Sequence, residues 1–281
     1  MLLSRLRQLN RTSRTFANIR NLIERKMHVE AIQMRWGRGD NYAYLVIDNP
    51  TKHAWLIDPA QPDEVLEYFK VNKPNFELKA IVNTHHHYDH SDGNKEFHNR
   101  YPDLPVIAGK DSPFVTYTPS HQEVIDLGDN LAITALHTPC HTQDSICYFV
   151  EDSKSNERAV FTGDTLFTSG CGRFFEGVGD EMDKSLNSVL AKLPKDTKVY
   201  PGHEYTKSNV KFSKTILEND AMKKLEKYVQ ENETTTGVFT IGDELAFNPF
   251  MRLHDPIVQQ KTGYVKSGDV MTKLREMKNK M

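Results

Sequence analysis

The sequence predicts an α/β fold in which two β-sheets pack against each other with helices on the outside. Short β-rich runs alternate with turn-forming residues, helical patterns fall between several of these runs, and long helical patterns take over after residue 203. The predicted strands lie at 29–34, 42–47, 54–57, 78–82, 106–108, 131–136, 145–150, 158–162 and 198–200. Strands interleaved with helices in this order indicate an α/β sandwich.

The individual elements follow from local patterns. Only turn-forming residues separate the first three strands, which predicts an antiparallel meander. Pro62, followed by Asp63 and Glu64, begins an amphipathic helix over 62–71, because apolar residues recur there at helical spacing. The remaining helices are predicted to begin near Asn94 and to span 180–193, 209–233 and 269–281.

Changes in composition divide the chain into three predicted regions. Residues 1–26 are basic, residues 27–203 contain the strand-like runs, and residues 204–281 are mainly helical in pattern. No Gly/Ser-rich linker separates the second region from the third. We therefore predict two domains, at 27–203 and 204–281, preceded by a separate N-terminal segment.

The N-terminal segment has the composition of a mitochondrial transit peptide. It lacks the apolar core of a secretory signal, and its only acidic residue is Glu24. Its basic residues are Arg5, Arg7, Arg11, Arg14, Arg20, Arg25 and Lys26. We expect the full-length chain in the mitochondrial matrix and a chain started at Met27 in the cytosol. The alternative is a disordered basic arm.

Composition excludes several classes of partner. The net charge is −2 with no basic domain, so we expect no nucleic-acid partner. The chain is 38% apolar and 26% charged and has no 18-residue apolar run, so we expect no membrane span. Cys140, Cys147 and Cys171 show no paired spacing, which predicts free thiols in a reducing compartment. We expect a monomer.

The strongest chemical signal is the stretch at 84–90, which reads THHHYDH and directly follows the strand predicted at 78–82. Imidazoles and carboxylates are metal ligands at neutral pH. The spacing allows His85 and His87 to converge on one metal while Asp89 and His90 turn toward a second. His86 is expected to point away, because its neighbours point inward.

Three further donors, His141, Asp164 and His203, each follow a β-rich run and adjoin Gly or Pro, where strands end and chains turn. Seven donors exceed what one zinc requires but suit two metals that share a carboxylate. Asp164 is the natural bridge, because it is isolated from the first cluster. The other histidines lack partners in sequence and are predicted to be surface or core residues: His28, His53, His98, His121, His137 and His254.

Taken in order, THHHYDH, TPCHT, FTGDTLF and PGHEYT are similar to the motifs of the metallo-β-lactamase superfamily. Within it, the stretch FTSGCGRFFEG at 167–177 and NPFMR at 248–252 resemble the glyoxalase II (hydroxyacylglutathione hydrolase) family. The likeness runs from about residue 29 to the C-terminus. It implies an αββα sandwich with a binuclear site and a C-terminal helical domain that helps to hold glutathione.

The resemblance also implies roles for individual residues. Two divalent metals are expected, preferably zinc, with iron or manganese as alternatives. The first metal takes His85, His87 and His141; the second takes Asp89, His90 and His203; Asp164 bridges them. Asp89 and Asp164 are the predicted catalytic carboxylates.

The substrate contacts implied by the resemblance surround this site. They are Arg173, Phe175, His203, Tyr205, Arg275 and Lys278. Relatives commonly have Lys and Tyr where this chain has Arg173 and Phe175, and Phe175 has no hydroxyl with which to donate a hydrogen bond. Cys140 stands where Gly is common. The expected partner is a small-molecule glutathione thioester.

A thioester suits such a site. Two metals lower the pKa of a shared water and polarise a carbonyl, and a thiol leaving group with a pKa of about 8.5 departs without a dedicated acid. We therefore expect hydrolysis of S-(2-hydroxyacyl)glutathione to glutathione and a 2-hydroxy acid such as D-lactate, in methylglyoxal detoxification. The alternatives are a mononuclear-iron persulfide dioxygenase on the same fold and a non-catalytic zinc-stabilised binding module.

The N-terminal segment yields a direct prediction. Residues 1–26 fused to a fluorescent reporter should carry it into mitochondria, because basic residues on an amphipathic segment direct matrix import. The measurement is colocalisation with a matrix marker, with the unfused reporter as control. A diffuse cytosolic signal would reject the assignment.

Overall fold

The computed structural model describes residues 27–35 and 39–281. The predicted transit segment therefore lies outside the described residues. Within them the chain forms two five-stranded sheets, one short hairpin and helices on the outer faces. None of the described helices is both long and apolar enough to cross a membrane.

The first sheet has the strand order β1-β2-β3-β4-β5. Its strands are β1 (Met27–Met34), β2 (Asn41–Asp48), β3 (His53–Ile57), β4 (Glu77–Val82) and β5 (Val106–Ile107). The first three strands pair antiparallel, as the turn residues between them predicted. β3, β4 and β5 pair parallel, which places the ends of β3 and β4 at one edge.

The second sheet has the order β12-β9-β8-β7-β6. Its strands are β6 (Val124–Leu127), β7 (Leu131–His137), β8 (Ile146–Asp152), β9 (Arg158–Gly163) and β12 (Lys198–Pro201). All neighbours pair antiparallel except β12 and β9, which run parallel. β10 (Leu166–Phe167) and β11 (Gly170–Cys171) form a separate hairpin directly after β9. The sequence did not predict β6 or this hairpin.

The main core lies between the two sheets, and side-chain alternation explains why. In β2, Tyr44 and Val46 face the second sheet while Leu45 and Ile47 face outward, since successive side chains of a strand point to opposite faces. Tyr148 in β8 meets the first sheet from the other side. Both faces of these strands are buried, so they read as continuous apolar runs.

Helices cover both outer faces. α1 (Pro62–Asn72), α2 (Tyr88–Ser91) and α3 (Asn94–Arg100) follow strands of the first sheet. Val65 of α1 is fully buried against the outward side chains of that sheet. The two sheets with helices outside each of them confirm the predicted αββα sandwich.

The helix predicted at 180–193 exists but changes its winding. It begins as α4 (Gly179–Asp183), continues as a π-helical segment over Lys184–Val189 and ends as a 3₁₀ turn over Leu190–Lys192. Its apolar side chains pack on the outer face of the second sheet.

Beyond residue 203 the chain is helical. The helices are α5 (Thr206–Ile216), α6 (Asp220–Glu231), α7 (Ile241–Phe247), α8 (Pro256–Thr262) and α9 (Ser267–Asn279). The prediction of one helix over 209–233 was wrong, because Leu217 is extended and the Asn219 side chain caps a new helix at Met222 N. These helices share an apolar cluster with the outer face of the second sheet.

Glu244 of α7 provides a stability prediction. Its side chain is fully buried, and burial raises its pKa to about 8. A pKa raised on folding stabilises the fold fully below the unfolded value of 4.5, and that contribution is lost as pH rises toward 8.

The Glu244→Gln variant should therefore gain stability relative to the wild type between pH 5 and pH 8, by at most about 1.4 kcal/mol per pH unit. Urea unfolding of both proteins at several pH values measures this. The exposed Glu231→Gln change is the control. Parallel stability curves for wild type and Glu244→Gln would contradict the buried, protonated carboxyl.

Candidate metal centre and substrate cleft

The predicted donors meet at one edge of the sandwich because of strand direction. β3 and β4 run parallel, and so do β9 and β12, so the carboxyl ends of each pair lie side by side. His85 follows β4, Asp164 follows β9 and His203 follows β12. His141 lies in the loop that joins β7 to β8. Loops at the carboxyl ends of strands are the usual location of ligand sites in α/β folds.

Three histidines form the first donor group. Nδ1 of His87 lies 3.1 Å from Nε2 of His85 and 3.0 Å from Nε2 of His141. With metal–nitrogen bonds of about 2.0–2.1 Å, two nitrogens on a tetrahedral zinc lie about 3.3–3.4 Å apart. The ring nitrogens are therefore spaced nearly as ligands of one ion.

Asp89, His90 and His203 form the second group, whose donor atoms all lie within 4.8 Å of one another. Nε2 of His90 is 3.2 Å from Nε2 of His203, which in turn is 3.5 Å from Oδ2 of Asp89. His90 and His203 are both buried. This group also has the spacing of ligands around one cation.

The carboxylate of Asp164 lies between the two groups. Its Oδ1 is 3.4 Å from Nε2 of His90 and 3.5 Å from Nε2 of His203, whereas its Oδ2 is 3.4 Å from Nε2 of His141. Oδ1 is buried without a hydrogen bond. A buried carboxylate oxygen is costly unless it is paired or coordinates a cation. Five histidines and two aspartates, with one carboxylate facing both groups, fit two divalent cations.

Hydrogen bonds at the opposite ring nitrogens orient these histidines. Nδ1 of His90 lies 3.0 Å from Asp58 Oδ2, and Nδ1 of His203 lies 3.0 Å from Asp40 Oδ1. Nδ1 of His141 lies 2.9 Å from the main-chain oxygen of Arg173. Such partners fix the ring and its tautomer.

Sequence reasoning missed Asp58 and Asp40. Asp58 follows β3 and also accepts hydrogen bonds from the main-chain NH and hydroxyl of Thr84. Its position directly after a strand, like that of Asp164, was the available signal. Asp40 had no such signal, because its contact with His203 depends on the tertiary structure.

Protonation favours cation binding. Burial lowers the pKa of His85 well below 6.5, so this imidazole is neutral near pH 7. Burial alone would raise the pKa of Asp164, but His203 and His90 outweigh it and hold that pKa well below 3.8. Neutral imidazoles and an ionised carboxylate are the forms that metals bind.

His86 has a different role from its neighbours. Its Nδ1 lies 2.8 Å from Oδ1 of Asp144, and its Nε2 lies 3.5 Å from Glu176. It therefore points away from the donor groups, as predicted. His137 likewise bonds the main-chain oxygen of Pro119. All three cysteines are free and buried.

A cleft of about 750 Å³ opens directly over the donors. It brings together all the predicted substrate contacts and further residues that sequence reasoning missed. The predicted residues are Arg173, Phe175, His203, Tyr205, Arg275 and Lys278; the additional ones include Tyr88, Ser208, Asn209, Asn279 and Met281. A volume of this size suits a small-molecule ligand.

Aromatic rings shape the mouth of the cleft. Phe175 is 61% exposed, and its ring centroid lies 5.2 Å from that of His141 and 5.7 Å from that of His87. Tyr205 stacks on His203 with centroids 4.6 Å apart. An exposed ring beside donor groups offers apolar contact to a ligand.

The two basic residues of α9 differ in their surroundings. Arg275 is only 8% exposed: its Nη1 donates to the main-chain oxygen of Cys171 at 2.8 Å, and its guanidinium lies over Phe250. The Lys278 ammonium donates to the main-chain oxygen and hydroxyl of Ser208, each at 2.8 Å. Arg275 is thus part of the core as well as of the cleft.

Comparisons with known proteins agree with this geometry. Residues 36–203 match the metallo-beta-lactamase superfamily, and residues 204–281 match the hydroxyacylglutathione hydrolase C-terminus. The fold resembles the crystal structure of ETHE1 from Myxococcus xanthus, with a TM-score of 0.62 at 24% identity over 91% of this chain and 100% of that one.

Curated relatives match over nearly their whole length. A probable hydroxyacylglutathione hydrolase of Schizosaccharomyces pombe is 52% identical over 90% of this chain and 98% of its own length. The cytoplasmic and mitochondrial hydroxyacylglutathione hydrolases of Saccharomyces cerevisiae are 50% and 46% identical, over 91% and 92% of this chain and 100% and 97% of their own lengths. The chain therefore belongs to the hydroxyacylglutathione hydrolase (glyoxalase II) family of the metallo-β-lactamase superfamily.

Proposed function

We propose that this protein hydrolyses S-(2-hydroxyacyl)glutathione thioesters, typified by S-D-lactoylglutathione, to glutathione and a 2-hydroxy acid in methylglyoxal detoxification. The observation that carries the proposal is the Asp164 carboxylate between two donor groups at the floor of a basic, aromatic cleft. The names of the relatives support the same substrate class.

Two divalent metals, preferably zinc, would occupy the donor groups. The first would be held by His85, His87 and His141, the second by Asp89, His90 and His203, with Asp164 shared. When bound, the metals supply a water that ionises near neutral pH and a Lewis acid for the carbonyl. Asp89 and Asp164 act in catalysis by keeping both positions anionic and fixed.

The remaining chemistry is positioning. The leaving group is a thiol with a pKa of about 8.5, so its departure needs no dedicated acid. Glutathione carries two carboxylates and one ammonium, so its distal end is a net anion that Arg173 and Lys278 can neutralise. Phe175 supplies an apolar wall where relatives commonly have a phenol.

Lys278 is adapted to this role by its surroundings. Burial, assisted by the nearby Arg275 charge, lowers its pKa to about 8. The ammonium still predominates at neutral pH, and a bound carboxylate stabilises it further. Substrate binding would therefore relieve repulsion between two cations on one helix.

The domain division and location belong to the same proposal. Residues 27–203 would form the catalytic domain and residues 204–281 the substrate-binding domain, in agreement with the limits of the two family matches. We propose a monomer. We place the full-length product in the mitochondrial matrix and a product begun at Met27 in the cytosol; yeast relatives include both a mitochondrial and a cytoplasmic isozyme.

The alternatives receive less support. Relatives at about 50% identity are named hydrolases, which favours thioester hydrolysis over a mononuclear-iron oxygenase. A purely structural zinc site would have its ligands closed off from solvent. Here the donors line an open cleft.

The central prediction concerns Asp164. The purified wild type should contain two metals and hydrolyse S-lactoylglutathione, and a chelator should abolish turnover. Asp164→Ala should lose metal or at least about 100-fold in rate, because one carboxylate serves both positions. Metal analysis and thioester hydrolysis on one sample measure this, with the exposed Asp126→Ala as control. Normal metal content and rate in Asp164→Ala would contradict the bridge; a metal-loaded wild type without thioester turnover would contradict the function.

A second prediction concerns recognition by α9. Lys278→Ala should raise KM for S-lactoylglutathione roughly 5- to 150-fold with kcat nearly unchanged, because a charge contact made equally in ground and transition states affects only binding. Arg275→Ala should also lower stability, since it removes the hydrogen bond to Cys171. Steady-state kinetics are compared with those of a small thioester lacking glutathione, and Lys273→Ala on the same helix is the control. Equal losses of Lys278→Ala on both substrates would rule out the glutathione contact.

A further inference from the structure

The turn of the β10–β11 hairpin is held in an uncommon conformation. Ser169 has a φ of 58°, in the left-handed region that residues with side chains rarely adopt. Such a conformation persists only where surrounding structure enforces it. The turn spans Thr168–Cys171 and leads directly to Arg173 and Phe175 at the cleft.

Five side chains from the C-terminal helices bond to the main chain of this turn, and all five are at least nine-tenths buried. Glu244 Oε2 accepts from Ser169 N at 2.9 Å, and the four donors bond to successive carbonyl oxygens. These donors are Asn209 to Thr168 at 3.1 Å, Ser213 to Ser169 at 2.9 Å, Asn248 to Gly170 at 3.1 Å and Arg275 to Cys171 at 2.8 Å. We call these five residues the cradle.

The cradle is built for a close fit. A Cβ atom at Gly170 would lie 2.7 Å from the side chain of Asn209, so the turn approaches helix α5 more closely than any other residue type allows. Asn248 also donates to Glu244 at 2.9 Å, which joins two cradle residues to each other. Buried polar networks of this kind fix one geometry.

The turn is connected to the donor groups by a short, constrained path. Gly172 passes so close to the site that a Cβ atom there would lie 1.9 Å from the main-chain oxygen of Asp164 and 2.9 Å from Nδ1 of His141. The next residue, Arg173, offers its carbonyl to that same Nδ1 at 2.9 Å. Movement of the turn would therefore move the group that orients His141.

We propose that the cradle positions the Arg173 carbonyl and thereby the His141 imidazole, so that the C-terminal helices set the geometry of the metal centre in addition to lining the cleft. This inference rests on the proposed function, because His141 is a proposed metal ligand there. Ser213, Glu244 and Asn248 do not line the cleft. They are positioning residues, which act on the reaction through His141.

The expected effect follows from how partners of ligating histidines behave. Loss of the group that bonds the second ring nitrogen commonly costs 10- to 100-fold in metal affinity or rate. A cradle variant should therefore weaken metal binding and lower kcat for every thioester. A residue that only binds glutathione would raise KM for the glutathione substrate alone.

The test compares Ser213→Ala and Asn248→Ala with two matched controls in the full-length protein. Thr262→Ala removes a buried hydroxyl that bonds only to its own helix, and Asn219→Ala removes a side-chain amide bonded to Ala246. Glu244→Leu removes the acceptor for Ser169 N, and Glu244→Gln should restore it. Zinc affinity is measured by competition with a chelator, and kcat and KM with S-lactoylglutathione and a small thioester.

A third measurement does not depend on turnover. The nitrogen-15 resonance of His141 Nδ1 in the metal-free protein reports its hydrogen bond to Arg173, with His141→Gln for assignment. We expect the cradle variants to shift this resonance, to lose about 10- to 100-fold in zinc affinity and to lower kcat on both substrates. The two controls and Glu244→Gln should retain wild-type values.

Cradle variants that match the controls in all three measurements would overturn the inference, even if they are less stable. If the wild type neither binds zinc nor hydrolyses a thioester, the proposed function fails, while the His141 resonance still decides whether the cradle positions that ring. Should Asn248→Ala fail to fold, Ser213→Ala decides, because it removes a single hydroxyl.

Discussion

The burial of the Asp164 carboxylate is the constraint on which the rest of this structure depends. An ionised carboxylate taken out of water is costly unless opposite charge or hydrogen bonds surround it. Here imidazoles approach both oxygens, and one oxygen has no hydrogen bond at all. The site is therefore complete only when cations join the seven donors, and the fold must hold those donors in place beforehand.

The sandwich meets this demand through strand direction. Two parallel pairs, one in each sheet, end at the same edge, so donors far apart in sequence converge without long loops. Carboxylates and carbonyls behind the rings then fix their orientation, as Asp58 does for His90. Rigid strands carry the ligands, whereas loops and helices carry the residues that would contact a substrate.

The C-terminal helices serve stability and recognition together. They cover the outer face of the second sheet with apolar side chains and present Lys278 to the cleft. Arg275 shows how closely the two roles are joined, because its guanidinium bonds to Cys171 and also borders the cleft. Changes in these helices therefore reach the site through packing as well as through direct contact.

Local chemistry let the sequence alone determine the strands, the sandwich and the seven donors. Alternating apolar residues mark strands whichever fold contains them, and the cluster at 84–90 identifies itself by its spacing. The sequence mispredicted the break at Leu217, because a single capping residue, Asn219, ends one helix and starts another.

Only the tertiary structure decided the partners of Asp40, the burial of Arg275 and the contacts of the hairpin turn. Each of these joins residues distant in the chain, such as Asp40 with His203 or Glu244 with Ser169. Sequence periodicity records which side of an element is apolar, but it does not record which polar groups meet after the elements pack. Those meetings depend on distances that arise only when sheets and helices are assembled.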